Sequence, residues 1–301
     1  MDLVGKRFYY FLFSVAIILS GVAATAFFGL RFGIDFTGGF LLEIETEQPV
    51  SIDDVTQRAR VSGIEGVTVQ SSGKQSVFIR GKDVTDAQKQ TLFAKVGEIG
   101  GNVTEQRFEL VGPTIGAELA RNASRAVVFA SIAILGYIMW AFRTVPRPAS
   151  SFRFAVCTII ALVHDVLVVV GAFAIFGKVW GVEIDTLFVT ALLTVIGYSV
   201  HDSIVVLDRI RENLKKFRGA SFAEVANVSL LQTMNRSITT SLTVVFVLVG
   251  LLLFGGTNIF WFVVALLIGI VTGTYSSLFI ATPLLVWWQE RTIPPVSPPR
   301  G

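Results

Sequence analysis

Charge and cysteine are both scarce in this chain. Of its 301 residues 16% are charged, against about 25% in an average soluble domain, while 52% are hydrophobic and the mean hydropathy is +0.67. That balance excludes a water-soluble domain and reads as an integral membrane protein. The net charge of +3 is small and scattered over several loops. It makes no nucleic-acid footprint, and the basic residues read instead as a topology signal. The single cysteine, Cys157, lies in an apolar run, which leaves neither an internal disulfide framework nor a thiolate metal cage. A nucleotide-binding motif is also lacking: the Gly-rich "GIDFTGG" at 33–39 has no Lys-Ser/Thr ending. Any work done by the chain therefore draws on an ion gradient.

What is present in quantity is apolar sequence. Phe8 to Leu30 is a largely apolar run, and as a helix it would be roughly 35 Å long, enough to cross a hydrocarbon core of about 30 Å. Lys6, Arg7 and the "ATA" at 24–26 also fit a cleaved signal peptide. The length of the run and the five spans that follow favour an uncleaved helix. Those spans lie near 124–142, 154–176, 186–207, 237–254 and 259–288. Basic residues cluster at Lys6/Arg7, Arg143/Arg147/Arg153, Arg209 to Arg218 and Arg291/Arg300, all on one side of a six-span topology. Both termini are then cytoplasmic, in a bacterial inner membrane.

The expected domains are a cytoplasmic N-terminus with the first helix (1–30), an extracytoplasmic α+β domain (31–117), spans two to six (118–290) and a Pro-rich cytoplasmic tail (291–301). Within 31–117, "FLLEIET" alternates like a strand, "SIDDVTQRARV" has helical period with Ser51 as N-cap, and "VTVQ" and "SVFIR" are strands around a turn. "VTDAQKQTLFAKVG" and "VTEQRFELV" complete a ferredoxin-like β-α-β-β-α-β order. Ser221 and Glu224 have capping-box spacing, and an interfacial helix is expected near 221–234.

Ionisable groups inside a membrane cost roughly 2.5–3.5 kcal/mol at a helix centre and are candidate functional residues. Asp165, in "ALVHDVLVVVGAF", lies about 18 Å along a helix from Arg153, near mid-membrane. Asp202, in "TVIGYSVHDSIVVLDRIREN", lies about 9 Å from the first cytoplasmic charge by the same rise. Arg236 opens the fifth span, and Thr239, Thr240 and Thr243 follow it at i+3, i+4 and i+7 as a hydroxyl stripe that could line a hydrated crevice opposite Asp202. His164 and His201, the two histidines, each precede an intramembrane Asp. Adjacent helix positions point about 100° apart, so neither pair makes a metal centre unaided, and no metal or cofactor is expected. His164 reads as helix packing, whereas His201 lies next to the pathway. Gly197 and Ser199 read as close-packing positions, as do Gly269 and Gly273.

Together "GIDFTGG", "VGPTIGAEL", "HDV", "GYSVHDSIVVLDRIREN" and "TMNRSITTSLT", in order and at matching topological positions, resemble the SecF family, the smaller membrane subunits of bacterial SecDF protein-export complexes. The resemblance implies a member of the resistance-nodulation-division superfamily and half of a transporter. Its six-helix repeat would be completed by SecD. It implies SecYEG, YajC and translocating preproteins as further partners, membrane lipid around the spans, and no enzymatic activity. It also implies proton coupling through Asp202, Arg236 and Asp165, with Na⁺ as the other candidate ion. His201 and Ser203 stand where Asn and Thr are common in the family, so proton carrying by His201 is not implied. Two other readings are an intramembrane aspartyl protease built on Asp165 and Asp202, and a drug or lipid exporter half of the same superfamily.

Overall fold

The computed structural model describes residues 2–71, 73, 75–147, 149–217 and 219–292, with Thr257 described by its backbone alone. Arg218, Arg300 and all of the Pro-rich tail beyond Thr292 lie outside the described residues. The chain divides into two compact units, Met1–Arg31 with Arg125–Gly301, and Phe32–Ser124.

The smaller unit carries a helical turn α1b at Ile34–Thr37 that the periodicity does not announce, then strand β1 (Gly39–Thr46), helix α2 (Ile52–Val61), strands β2 (Thr68–Ser71) and β3 (Ser76–Gly81), helix α3 (Asp86–Gly100) and strand β4 (Val103–Val111). The sheet is antiparallel throughout, in the order β2-β3-β1-β4. Alternation places Phe40, Leu42 and Ile44 of β1 and Val77 and Ile79 of β3 on one face, where they meet Val55 and Ala59 of α2 and Leu92 and Val96 of α3. The turn into β1 needs glycine. Gly38 has φ +71° and a Cβ there would lie 2.8 Å from Pro113 Cα, while one on Gly39 would lie 2.4 Å from the Gly81 carbonyl oxygen. Ser51 is the N-cap of α2, though its side chain makes no capping bond. Thr85 and Gln88 close a full capping box on α3.

Among the described residues of the chain, six helices are long and apolar enough to cross a membrane. They are α1 (Arg7–Phe28), α4 (Pro113–Ala141), α5 (Ser151–Trp180), α6 (Thr186–Lys216), α7 (Phe222–Phe254) and the segment Phe260–Thr292. The last is divided into α8 (Phe260–Ser276), a π-helical turn (Ser277–Ala281) and α9 (Thr282–Thr292). The chain is thus a mostly helical, multi-pass membrane protein.

The separate interfacial helix expected at 221–234 is not formed. Ser221 does close the capping box with Glu224, but the helix it starts runs unbroken to Phe254, about 50 Å at 1.5 Å per residue. Its first turns bury Val225, Ala226, Ser229 and Leu230. Asn213 of α6 donates to Ser229 Oγ (2.8 Å) and to Gln232 Oε1 (2.9 Å), and Arg209 Nε donates to Gln232 Oε1 (2.6 Å). The face predicted to sit on lipid is instead the inner face of an antiparallel α6/α7 hairpin.

Small residues bring the other helices together. A Cβ on Gly171 of α5 would lie 2.4 Å from Gly21 Cα of α1. A Cβ on Gly269 of α8 would lie 2.1 Å from a Val195 methyl of α6, and one on Gly273 would lie 3.1 Å from Ser199 Cβ. At the start of the chain, Leu3 and Val4 are buried and their amides both donate to Asn227 Oδ1 of α7 (2.8 and 3.3 Å).

Candidate functional site

Where α5, α6, α7 and α8 meet, the apolar interior gives way to two carboxylates and a set of hydroxyls. Asp165 of α5 is 1% exposed. Its Oδ2 accepts hydrogen bonds from Ser199 Oγ of α6 (2.6 Å) and Ser276 Oγ of α8 (2.7 Å), and its Oδ1 lies 3.0 Å from His164 Nδ1. The adjacent histidine therefore does reach its aspartate, by folding back onto it. One carboxylate ties three helices, and a buried carboxyl needs such partners to persist in an apolar interior. His164 Nε2 has no hydrogen-bond partner, and its ring lies 6.2 Å from that of Tyr275.

Asp202 of α6 is 2% exposed. Ser241 Oγ of α7 donates to its Oδ2 at 3.4 Å, and Thr274 of α8, whose hydroxyl donates to the Ile270 carbonyl (2.9 Å), adjoins Ser241. Ser241 also lies 2.5 Å from Thr274 Oγ1 and accepts from the Tyr198 hydroxyl (3.2 Å). A serine has one proton to donate, and either oxygen of the Ser241–Thr274 pair can be the donor, so Ser241 can give its proton to Asp202 while accepting from Thr274.

The two carboxylates do not hydrogen-bond to one another. Ser199 and Ser276 serve Asp165 while Ser241 serves Asp202, so among these bonds no hydroxyl or proton is shared by the two carboxyl groups, as an aspartyl protease needs. Immediately beyond, Ser277 opens the π turn and donates to the carbonyls of Gly273 (2.8 Å) and Ser199 (3.1 Å), and Ser203 donates to Ser277 Oγ (3.1 Å). Ser199 and Ser203 lie three residues before and one after Asp202, so they fix the turn of α6 that carries it. Ser199 is thus a ligand of Asp165 as well as a packing position, while Gly197 is exposed with nothing near its α-carbon.

The remaining predicted residues fall elsewhere. His201 is exposed on the outer face of α6. Arg236 is exposed too, and lines a recess of about 250 Å³ together with Val205, Asp208, Arg209, Glu212, Gln232 and Thr233. There Arg209 pairs with Glu212 (2.7 Å) and Asp208 with Arg211 (2.5 Å), whereas Arg236 makes no ion pair among the described residues. His201 and Arg236 are the ionisable groups that act electrostatically on Asp202. The hydroxyl stripe does not face Asp202. Thr239 and Thr243 are exposed, Thr240 is half-buried, and the hydroxyls of Thr240 and Thr243 donate to their own helix backbone. Positions i+3, i+4 and i+7 follow Arg236 outward, and the face towards Asp202 is one step round, at Ser237 and Ser241. Ser241, Thr274, Ser276 and Ser277 were missed in the sequence. Their signal was hydroxyls recurring within otherwise apolar spans. Among the described residues no group of His, Cys, Asp and Glu could hold a metal ion.

Residues 91–291 match the family model described as "Protein export membrane protein SecD/SecF, C-terminal", and residues 23–50 match the "SecD/SecF GG Motif". The chain belongs to the SecD/SecF family. The motif's two glycines are Gly38 and Gly39, whose positive φ and close neighbours are described above. Similar SecD/SecF proteins include the protein translocase subunit SecF of Thermobaculum terrenum, 50% identical over 97% of this chain and 95% of the relative. The protein translocase subunit SecDF of Bacillus subtilis is 37% identical over 97% of this chain but 38% of its own length. The crystal structure of SecDF from Thermus thermophilus, a translocon-associated membrane protein, superposes with a TM-score of 0.85 at 32% identity, over 97% of this chain and 39% of that one. The chain therefore corresponds to about two fifths of each SecDF polypeptide.

Proposed function

We infer that this SecD/SecF-family chain is an accessory subunit of bacterial protein export that couples proton movement through its six-helix unit to motion of its α/β unit. The observation that carries the inference is Asp202, a carboxyl group buried among hydroxyls from two neighbouring helices, with Arg236 and His201 acting on it from the chain's outer face. Taking up a proton turns Asp202 from an acceptor into a donor. Ser241 and Thr274 must then re-pair, and the contact between α6 and α8 changes with them. A proton can pass between water and the hydroxyls beside Asp202, whereas Na⁺ would need several oxygen ligands in place of its water shell. H⁺ is accordingly the proposed ion.

SecD is the proposed partner, since SecDF relatives carry both halves in one polypeptide. A polar face at membrane depth supports this. Thr190, Thr194, Gly197 and His201 on α6 and Arg236, Thr239 and Thr243 on α7 are all exposed in this chain. Such residues are costly against lipid, and a second six-helix half, related by a pseudo-twofold axis along the membrane normal, would cover them. The strand order and pairing of the α/β unit support a ferredoxin-like fold, and the basic clusters favour an extracytoplasmic side for it, with both termini inside. SecYEG, YajC and emerging preproteins complete the proposed assembly, which performs transport and no covalent catalysis. In vesicles holding the chain with SecD and SecYEG, Asp202→Asn is expected to abolish gradient-stimulated export while leaving the complex assembled. Export that still responds to the gradient in that variant would refute the coupling role.

A further inference from the structure

The α6/α7 hairpin has an antiparallel register marked by Asn213 with Ser229, Arg209 with Gln232, and Asp202 with Ser241. On this register Ser237 lies opposite Val205, and Val205 lines the recess that holds Arg236. Thr233, another lining residue, Ser237 and Ser241 follow one another at steps of four on the buried face of α7. Three hydroxyls thus stand one turn apart, spanning about 12 Å between the recess and the Asp202 carboxylate.

The middle one is anomalous. A serine inside a helix usually donates to the carbonyl four residues back, and Thr233 and Thr240 of α7 both do so. Ser237 does not: its Oγ is 1% exposed at the residue level and has no hydrogen-bond partner. An unpaired buried hydroxyl costs roughly 1–3 kcal/mol, which a bridging water removes where neighbouring polar groups are in reach. The hydroxyls one turn above and below are such groups.

We propose that Thr233, Ser237 and Ser241 form a ladder that carries water, and with it the coupling proton, between the recess at Arg236 and the Asp202 carboxylate. Ser237 is its positioning residue: it holds the water that joins the recess to Ser241. Arg236 stands at the mouth as a cation with no ion pair among the described residues. The proposal rests on the reading of Asp202 as the coupling carboxylate, but the ladder can be tested without it.

The test is the reaction of single cysteines with a small membrane-impermeant thiol reagent in inverted vesicles containing the full chain and its SecD partner. Cys157 is buried and is first replaced by alanine. Ser237→Cys is expected to react at least about tenfold faster than Leu248→Cys, a buried position on α7 beyond Asp202, because thiol reactivity follows access and thiolate formation. The expected order is Val205→Cys, then Ser237→Cys, then Ser241→Cys. Adding Ser237→Val should block labelling of Ser241→Cys and leave Val205→Cys unchanged, which a general loosening of the bundle would not do. Ser237→Cys reacting no faster than Leu248→Cys overturns the ladder. So does undiminished labelling of Ser241→Cys behind Ser237→Val. A reactive Ser237→Cys together with gradient-driven export that survives Asp202→Asn would sink the coupling role and leave the ladder standing.

Discussion

Replacing Gly269 by alanine tests whether the α6/α8 seam is set by glycine. The new Cβ would stand 2.1 and 2.7 Å from the Val195 methyl carbons and 2.9 Å from Val195 Cβ. Carbon atoms are comfortable at about 3.5–4.0 Å. Rotating Val195 moves its methyls but not its Cβ, and β-branched side chains in helices hold essentially one rotamer. The helices must therefore part by roughly 0.6–1 Å. Overpacking of that kind costs about 1–3 kcal/mol, and the helix preference of alanine over glycine returns about 1 kcal/mol. The 2.1 Å contact puts Gly269 in the upper part of that range, about 2–3 kcal/mol, so a net loss of about 1–2 kcal/mol is expected. At Gly273 the nearest atom is Ser199 Cβ at 3.1 Å, a misfit of a few tenths of an ångström. The cost there is at the low end of the same range, and Gly273→Ala should be within about 0.5 kcal/mol of the native chain. Equilibrium unfolding of the full chain in mixed micelles measures both. Adding Val195→Ala to Gly269→Ala removes the two shortest contacts, and the pair should couple by about 1 kcal/mol in the favourable direction. Equal costs at the two glycines, or strict additivity with Val195→Ala, would refute the reasoning.

Ser276→Ala removes one of the donors on Asp165 and should cost about 1–3 kcal/mol, with hydrogen exchange accelerating first in the π turn at Ser277–Ala281. Asn213→Leu breaks two of the side-chain bonds that close the α6/α7 hairpin; exchange should rise in the first turns of α7, and protection equal to the native chain would count against the hairpin. Ser221→Ala should cost about 1 kcal/mol by loss of the cap and fray residues 222–225, without altering export. Gly38→Ala should destabilise the α/β unit by at least about 1 kcal/mol, since alanine meets both the left-handed backbone and Pro113; local proteolysis of residues 32–112 is the readout.

Composition and run length were sufficient to find all six spans, because an apolar stretch of some twenty residues has few other fates. The α/β unit was equally legible from alternation in β1 and helical period in α2. The error at 221–234 has a specific cause. The Ser221/Glu224 capping box marks where a helix starts and not where it ends, and the polar groups on that stretch are recognised by Asn213 and Arg209 on another helix, which no local pattern reveals. The same limit governs the site. Asp165, Asp202 and Arg236 stood out as charges in apolar surroundings. Ser199, Ser241, Thr274 and Ser276 are ordinary residues in a membrane helix, and become significant only once helix rotation brings them to a carboxylate. Thr239, Thr240 and Thr243 miss the carboxylate by one helical step, because the face of α7 that carries Arg236 is not the face turned to Asp202.

The clasp of Leu3 and Val4 on Asn227 orders events in time. The contact joins residues 224 apart. At a synthesis rate of about 5–20 residues per second, these two amides wait roughly 11–45 s for the side chain that accepts them. During that interval α1 already has Gly21 but neither Gly171 nor Asn227 to lean on. Helix α1 is thus fastened only after α4, α5 and α6 have been made, and the nascent chain must tolerate it loose until α7 follows.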